Sequence, residues 1–254
     1  MVKIVVFDSG LGSLSVIKSI QKQFKCDIIY FADSKNFPYG KKSIKEIKNI
    51  TQQTILNLQT LFKPELIIVG SNTLSLTLDS HPKNILTVLP PLTQAIRTTK
   101  SKSIAILATE SIVKSKLLDN YIKKFNTNNI KIIKVNISKL VELVESGNFY
   151  SNPEFCIDII KKTLSSKLIT NNVDVVTLSS THLPFLLEFF ENMFPNITFL
   201  DPSKSLAKKL KKTYFDYNKQ RNSLQIFSSG DIRLFKNKLS HMKIKTKVSI
   251  LTIQ

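Results

Sequence analysis

Ser71-Asn72-Thr73 and Ser180-Thr181-His182 are the two clusters whose residue types and order could do chemistry. Each opens on a serine and follows a short apolar run, 66–69 in the first case and 173–178 in the second. A serine hydroxyl becomes a nucleophile or a proton carrier when a neighbouring base takes its proton. His182, two residues after Ser180, is such a neighbour. Ser71 has none beside it in sequence, so Asp8 would have to approach it across a cleft. The cluster Asp8-Ser9-Gly10-Leu11-Gly12 follows the apolar run 3–7 and offers a carboxylate suited to an ammonium. The hydroxyls, amide and imidazole of the serine clusters suit carboxylates. Taken singly, the serines read equally well as helix N-caps; their recurrence in matched positions favours a shared site. Ser9-Gly10-Leu11-Gly12 ahead of a helix could cradle an anion. It lacks the third glycine of a dinucleotide fingerprint, so no nucleotide cofactor is expected, and no metal.

Those clusters need elements that present them. Short β-branched runs alternate with amphipathic stretches, the pattern of parallel α/β sheets. Strands are predicted over 3–7, 27–31, 66–69, 103–107, 130–135, 173–178 and 197–200. Helices are predicted over 14–23, 44–62, 111–125, 155–168 and 203–214. A weak duplication links 3–10 with 103–111, and 66–74 with 173–183. The expected fold is therefore α/β, two pseudo-symmetric doubly wound domains, with ligands where strand carboxyl ends meet loops. Residues 1–94 with 205–254 would form one domain and 95–204 the other. Two such halves would put Ser71 and Ser180 on opposite walls of one cleft. Gly10, Gly12, Gly40 and Gly70 fall in strand-end loops, where backbone must approach a ligand or take φ > 0. Gly147 and Gly230 read as a helix C-cap and a turn.

Composition narrows the classes. The chain has 254 residues, 42% hydrophobic and 22% charged, enough for a sizeable core. No apolar run approaches the ~20 residues of a membrane span. The start MVKIVVFDSG lacks a signal-peptide pattern, so a cytoplasmic, soluble protein is expected. Cys26 and Cys156 lie far apart, without metal-type spacing. The net charge of +19 would ordinarily suggest nucleic acid. Only Arg97, Arg221 and Arg233 are arginines, however, and phosphate and base recognition favours arginine. The lysines read as solvated faces, the densest run being Lys208-Lys209-Leu210-Lys211-Lys212. Neither nucleic acid nor membrane is expected as a partner.

Six motifs in order carry a family resemblance: Phe7-Asp8-Ser9-Gly10-Leu11-Gly12, Phe37-Pro38-Tyr39-Gly40, Ser71-Asn72-Thr73, Leu143-Val144-Glu145-Ser146-Gly147, Ser180-Thr181-His182 and Ser229-Gly230-Asp231. They resemble the glutamate racemases of the aspartate/glutamate racemase superfamily across essentially the whole chain. The resemblance implies two α/β domains about a pseudo-twofold, the C-terminal segment returning to complete the first. It also implies cofactor-independent interconversion of L- and D-glutamate, or aspartate, by two-base proton transfer. In bacteria of that family the D-glutamate goes to peptidoglycan. Carried over by motif, Ser71 and Ser180 stand at the catalytic positions, and Asp8 and Ser9 meet the substrate ammonium and assist proton transfer. Tyr39, Gly40, Asn72, Thr73, Thr181 and His182 bind the carboxylates, while His182 and Glu145 tune the second acid/base residue. The partner implied is a small-molecule substrate, and a homodimer is compatible with it.

Both positions hold cysteine in that family and serine here, and Ser13, Ser179 and Leu183 also depart from its common Gly, Gly and Tyr. A thiol ionises near ~8.5 and an alcohol nearer water's ~15.7. Even a gap of roughly 5 units amounts to ~7 kcal/mol, or ~10⁵ in rate, if nothing compensates. Three readings stay open: a racemase working with a serine pair, a superfamily member with other chemistry on a carboxylate, and a carboxylate-binding or catalytically impaired paralogue.

Overall fold

The structure, a computed structural model, describes residues 3–78, 80–127, 129–213 and 221–253. The chain begins with β1 (Lys3–Asp8), α1 (Leu14–Gln23), β2 (Asp27–Ala32), α2 (Ile44–Phe62), β3 (Leu66–Val69), α3 (Asn72–Ser75) and β4 (Ile85–Thr87). It continues through α4 (Leu92–Thr98), β5 (Ser103–Ala108), α5 (Glu110–Val113), α6 (Lys116–Phe125), β6 (Lys131–Asn136), α7 (Ser138–Glu145), α8 (Asn148–Ser151), α9 (Pro153–Ile169), β7 (Val175–Leu178), α10 (Leu187–Met193) and β8 (Thr198–Leu200). The last elements are α11 (Pro202–Thr213), β9 (Ser223–Ser228), α12 (Ile232–His241) and β10 (Val248–Ile250). Two compact units result, Met1–Val88 with Ser203–Gln254, and Leu89–Pro202.

The first unit holds a six-stranded sheet ordered β10-β9-β2-β1-β3-β4, the second a four-stranded sheet ordered β6-β5-β7-β8. Every pairing is parallel. Central parallel strands are covered on both faces and read as unbroken apolar runs. β3, Leu-Ile-Ile-Val, and β7, Val-Val-Thr-Leu, are buried throughout. In the first unit α2 lays Ile47, Ile55 and Leu58 on β-sheet residues Val5, Phe7, Ile67 and Val69. Its start is set by a capping box in which Ser43 Oγ accepts from Glu46 N and Glu46 Oε2 accepts from Ser43 N.

Each sheet repeats one order. The first strand is central, the second lies to one side, and the third and fourth lie to the other. The chain reverses direction between β1 and β3, and again between β5 and β7. Such switch points leave crevices at strand carboxyl ends, where ligands bind. Asp8 and Ser71 flank the first, and Thr109 and Ser180 the second. The duplication seen in the residues is thus a duplication of topology.

Several expectations need correction. The predicted helix over 111–125 is two helices, α5 and α6, because Ser115 stops the first and caps the second, its Oγ accepting from Leu118 N at 3.3 Å. β4, β9 and β10 were not foreseen. The end predicted at Tyr214 lies outside the described residues, within which α11 runs Pro202–Thr213. Among the described glycines it is Gly147 that takes positive φ, 75°, just past α7, as a C-terminal glycine should. Gly10, Gly12, Gly40 and Gly70 do not. Gly70 is required for another reason: a Cβ there would lie 1.9 Å from Ser13 Oγ. Among the described residues no helix is long and apolar enough to cross a membrane.

Candidate active site

In the first unit the site starts at the end of β1. Asp8 is buried and held from two sides, Oδ1 accepting from Ser9 N at 2.7 Å and Oδ2 from Ser13 Oγ at 3.0 Å. Register fixes what stands beside it. Phe7 pairs with Val69, and Gly70 N donates to Phe7 O at 2.9 Å, so Ser71 follows on the strand next to Asp8. Asp8 and Ser71 therefore belong to one unit and one sheet, which corrects the expectation that Asp8 would reach Ser71 across a cleft.

Ser71 caps α3, its Oγ accepting from Leu74 N at 3.5 Å, so the helix-cap reading of this serine is correct as far as it goes. Asn72 is less easily explained as structure. It is 4% exposed, and neither its Nδ2 nor its Oδ1 has a hydrogen-bond partner. Leaving a buried polar atom unsatisfied costs about 1–3 kcal/mol. Among the described residues no group meets that penalty for Asn72. Thr73 is buried beside it.

Tyr39 and Gly40 lie in a 3₁₀ turn after β2. Tyr39 is buried and its hydroxyl donates to Asp33 Oδ2 at 2.9 Å. Burial, followed by the charges of Asp33 and Asp8, holds this phenol well above its ordinary value, so it stays a hydrogen-bond donor. Asp33 also accepts from Asn36 Nδ2 at 2.8 Å and Ser229 Oγ at 2.9 Å, while its own N–H donates to Asp8 O at 2.7 Å. Asp33 thus ties three places together, the β1 end through its backbone N–H and the Tyr39 and Ser229 turns through its carboxylate. Sequence reasoning missed Asp33. The available signal was an acid directly after the apolar run of β2, six residues before Tyr39.

The second unit supplies a connected chain of side chains at the end of β7. Ser180 Oγ lies 3.5 Å from His182 Nδ1, and His182 Nε2 lies 2.8 Å from Glu145 Oε1. All three residues are 6% exposed. Glu145 is the last residue of α7, and His182 opens the short 3₁₀ turn Leu183–Leu186. An ionised carboxylate only accepts hydrogen bonds, so Glu145 assigns the ring proton to Nε2. Nδ1 then presents its lone pair to the Ser180 hydroxyl. This is the order nucleophile, base, orienting acid. The contact of 3.5 Å is long for a hydroxyl, as such contacts often are before substrate tightens them. Thr181 is buried between the two. Among the described residues no group of three or more His, Cys, Asp or Glu is placed to hold a metal ion.

No family model matches the chain. The glutamate racemase of Buchnera aphidicola subsp. Schizaphis graminum is 30% identical over 230 residues, covering 87% of this chain and 88% of that protein. The fold is similar to that of Bacillus anthracis glutamate racemase isoform RacE1, with TM-score 0.85 and 20% identity over 99% of this chain and 98% of the other. It is similar also to Escherichia coli glutamate racemase, solved with L-glutamate and the activator UDP-MurNAc-ala. There the TM-score is 0.83 at 23% identity, over 100% and 99% of the two chains.

Proposed function

The chain belongs to the glutamate racemase family, and from that membership we propose that it interconverts L- and D-glutamate by moving the α-proton with its own side chains. The observation that carries this reading is the Ser180–His182–Glu145 chain at the switch point of the second unit. It gives a serine what the family's thiol has by nature, a route for losing a proton.

Ser71 and Ser180 are the proposed proton carriers. Asp8, with Ser9, takes the ammonium. Tyr39 with Gly40, Asn72 with Thr73, and Thr181 with His182 hold the carboxylates, and the unsatisfied Asn72 amide supports that assignment. Burial and fixed hydrogen bonds around Asp8 and Tyr39 favour charge recognition without reorganisation. The proposed setting is cytoplasmic, as a monomer or homodimer, with D-glutamate destined for peptidoglycan. No cofactor enters the proposal.

The test is conversion of L-Glu, D-Glu, L-Asp and D-Asp followed by chiral chromatography, with calorimetry for binding. Glutamate is expected to racemise from both directions, aspartate more slowly because its side-chain carboxylate is one methylene short. Binding of none of the four at millimolar concentration would refute the reading. Binding without conversion would favour a carboxylate-binding protein.

A further inference from the structure

We propose that the two serines are unequal, and that this site exchanges the α-hydrogen of one glutamate enantiomer with retention faster than it inverts it. The inference rests on the racemase reading and deepens it. Ser180 has a base at 3.5 Å and, behind that base, a carboxylate at 2.8 Å. Ser71 has neither. Its Oγ accepts from Leu74 N, and among the described residues its proton is given to no base. Asp8, on the neighbouring strand, has its two oxygens engaged by Ser9 N and Ser13 Oγ.

The chemistry follows from that difference. At the Ser180 face the Cα–H bond breaks and its electron pair passes into the α-carboxylate as an enolate. The proton goes to Ser180 Oγ as the hydroxyl's own proton goes to His182 Nδ1, leaving an imidazolium against Glu145. Reversal returns a proton to the same face of Cα, and in heavy water the imidazolium returns a deuteron. The result is exchange with retention. Inversion requires a donor other than Ser180, and the racemase reading gives that role to Ser71. Its O–H bond would break to leave an alkoxide, whose conjugate acid lies near ~15.7, with no partner to share the charge before solvent reprotonates it. At Ser180, by contrast, an imidazole nitrogen lies 3.5 Å away to share the proton.

The experiment incubates the full chain with L-glutamate and D-glutamate separately in heavy water. Proton NMR reads loss of the α-hydrogen, and chiral chromatography reads inversion. One enantiomer is expected to exchange at least about tenfold faster than it inverts, and faster than the other enantiomer exchanges. Ser180→Ala should lose the fast exchange. Glu145→Gln should slow it and displace its pH profile, which a purely structural role would not do. His182→Asn provides a second variant should Ser180→Ala not fold. Equal exchange of both enantiomers, each event accompanied by inversion, would overturn the inference and leave the racemase reading intact. Neither exchange nor inversion with either enantiomer would overturn both.

Discussion

Returning a thiol to each serine position, Ser71→Cys with Ser180→Cys, should accelerate glutamate racemisation by at least ~10²-fold. The ceiling comes from acidity. A gap of roughly 5 units between thiol and alcohol corresponds to ~7 kcal/mol and ~10⁵ in rate. The structure then apportions it. Ser180 has His182 Nδ1 at 3.5 Å, so a thiol there should add less, whereas among the described residues no base is hydrogen-bonded to Ser71, which should gain most. The ranking expected is double variant, then Ser71→Cys, then Ser180→Cys, then parent. Neither serine oxygen is tightly bound: each sits 3.5 Å from its partner, Leu74 N or His182 Nδ1, longer than the 2.7–3.2 Å usual for such bonds. The gain should stay below the ceiling because Ser180 already has a hydrogen-bonding base at 3.5 Å. Initial rates from L-Glu and D-Glu by chiral chromatography, with melting curves to show that each variant is folded, measure it. A folded double variant no faster than the parent would refute the reasoning, since it would mean that proton-carrier acidity does not limit this site.

Three further outcomes are expected. Asp33→Asn weakens the anchor of Tyr39 and should raise KM for glutamate about tenfold, or ~1.4 kcal/mol, with a smaller effect on kcat, read by steady-state kinetics. Gly70→Ala forces a Cβ into Ser13 and should destabilise by ~2–3 kcal/mol in chemical denaturation while loosening the Ser13 bond to Asp8. Asp174 is subject to burial, which raises its pKa, but hydrogen bonds from Thr99 Oγ1, Ser101 N and Oγ, and Lys100 N outweigh it and hold the carboxyl at about 2. The folded state thus binds this proton less readily than the unfolded chain. Its stabilisation is present above ~4 and is lost as pH falls through about 2. Asp174→Asn should therefore cost ~1 kcal/mol at neutral pH, discounted for solvent screening, and nothing in strong acid, as read by unfolding curves at each pH.

The parts of this fold that were legible in the residues are those that owe least to their neighbours. β3 and β7 are buried on both faces and declare themselves as apolar runs, and α1 and α2 begin and end where their patterns do. β9 is different. Ser-Leu-Gln-Ile-Phe-Ser is a weak strand in isolation and becomes one through its six-residue register against β2, with Asn222 Oδ1 accepting from Cys26 N at 3.2 Å beside it. Such pairing joins residues almost two hundred positions apart and leaves no local trace. β4 and β10 are three-residue edge strands, too short for a period to show. The same division holds in the site. Ser180 and His182 are neighbours in the chain and were readable as a base and its proton donor. Glu145, which orients the histidine, is 37 positions away, and only the resemblance pointed to it. Asp33 carried only its place after the β2 run as a signal, because two of its bonds, to Ser229 and to Asp8 O, join segments distant in the chain. What distinguishes the two serines is also a contact of this kind. Both sit after a β-strand in a polar run, and the residue types alone make them equivalent. The difference arises because α7 ends where Glu145 can meet His182, whereas Asp8, on the strand next to Ser71, accepts from Ser9 N and Ser13 Oγ. A serine's chemistry here is set by the partner the fold brings to it, and among the described residues the fold brings a base to Ser180 alone.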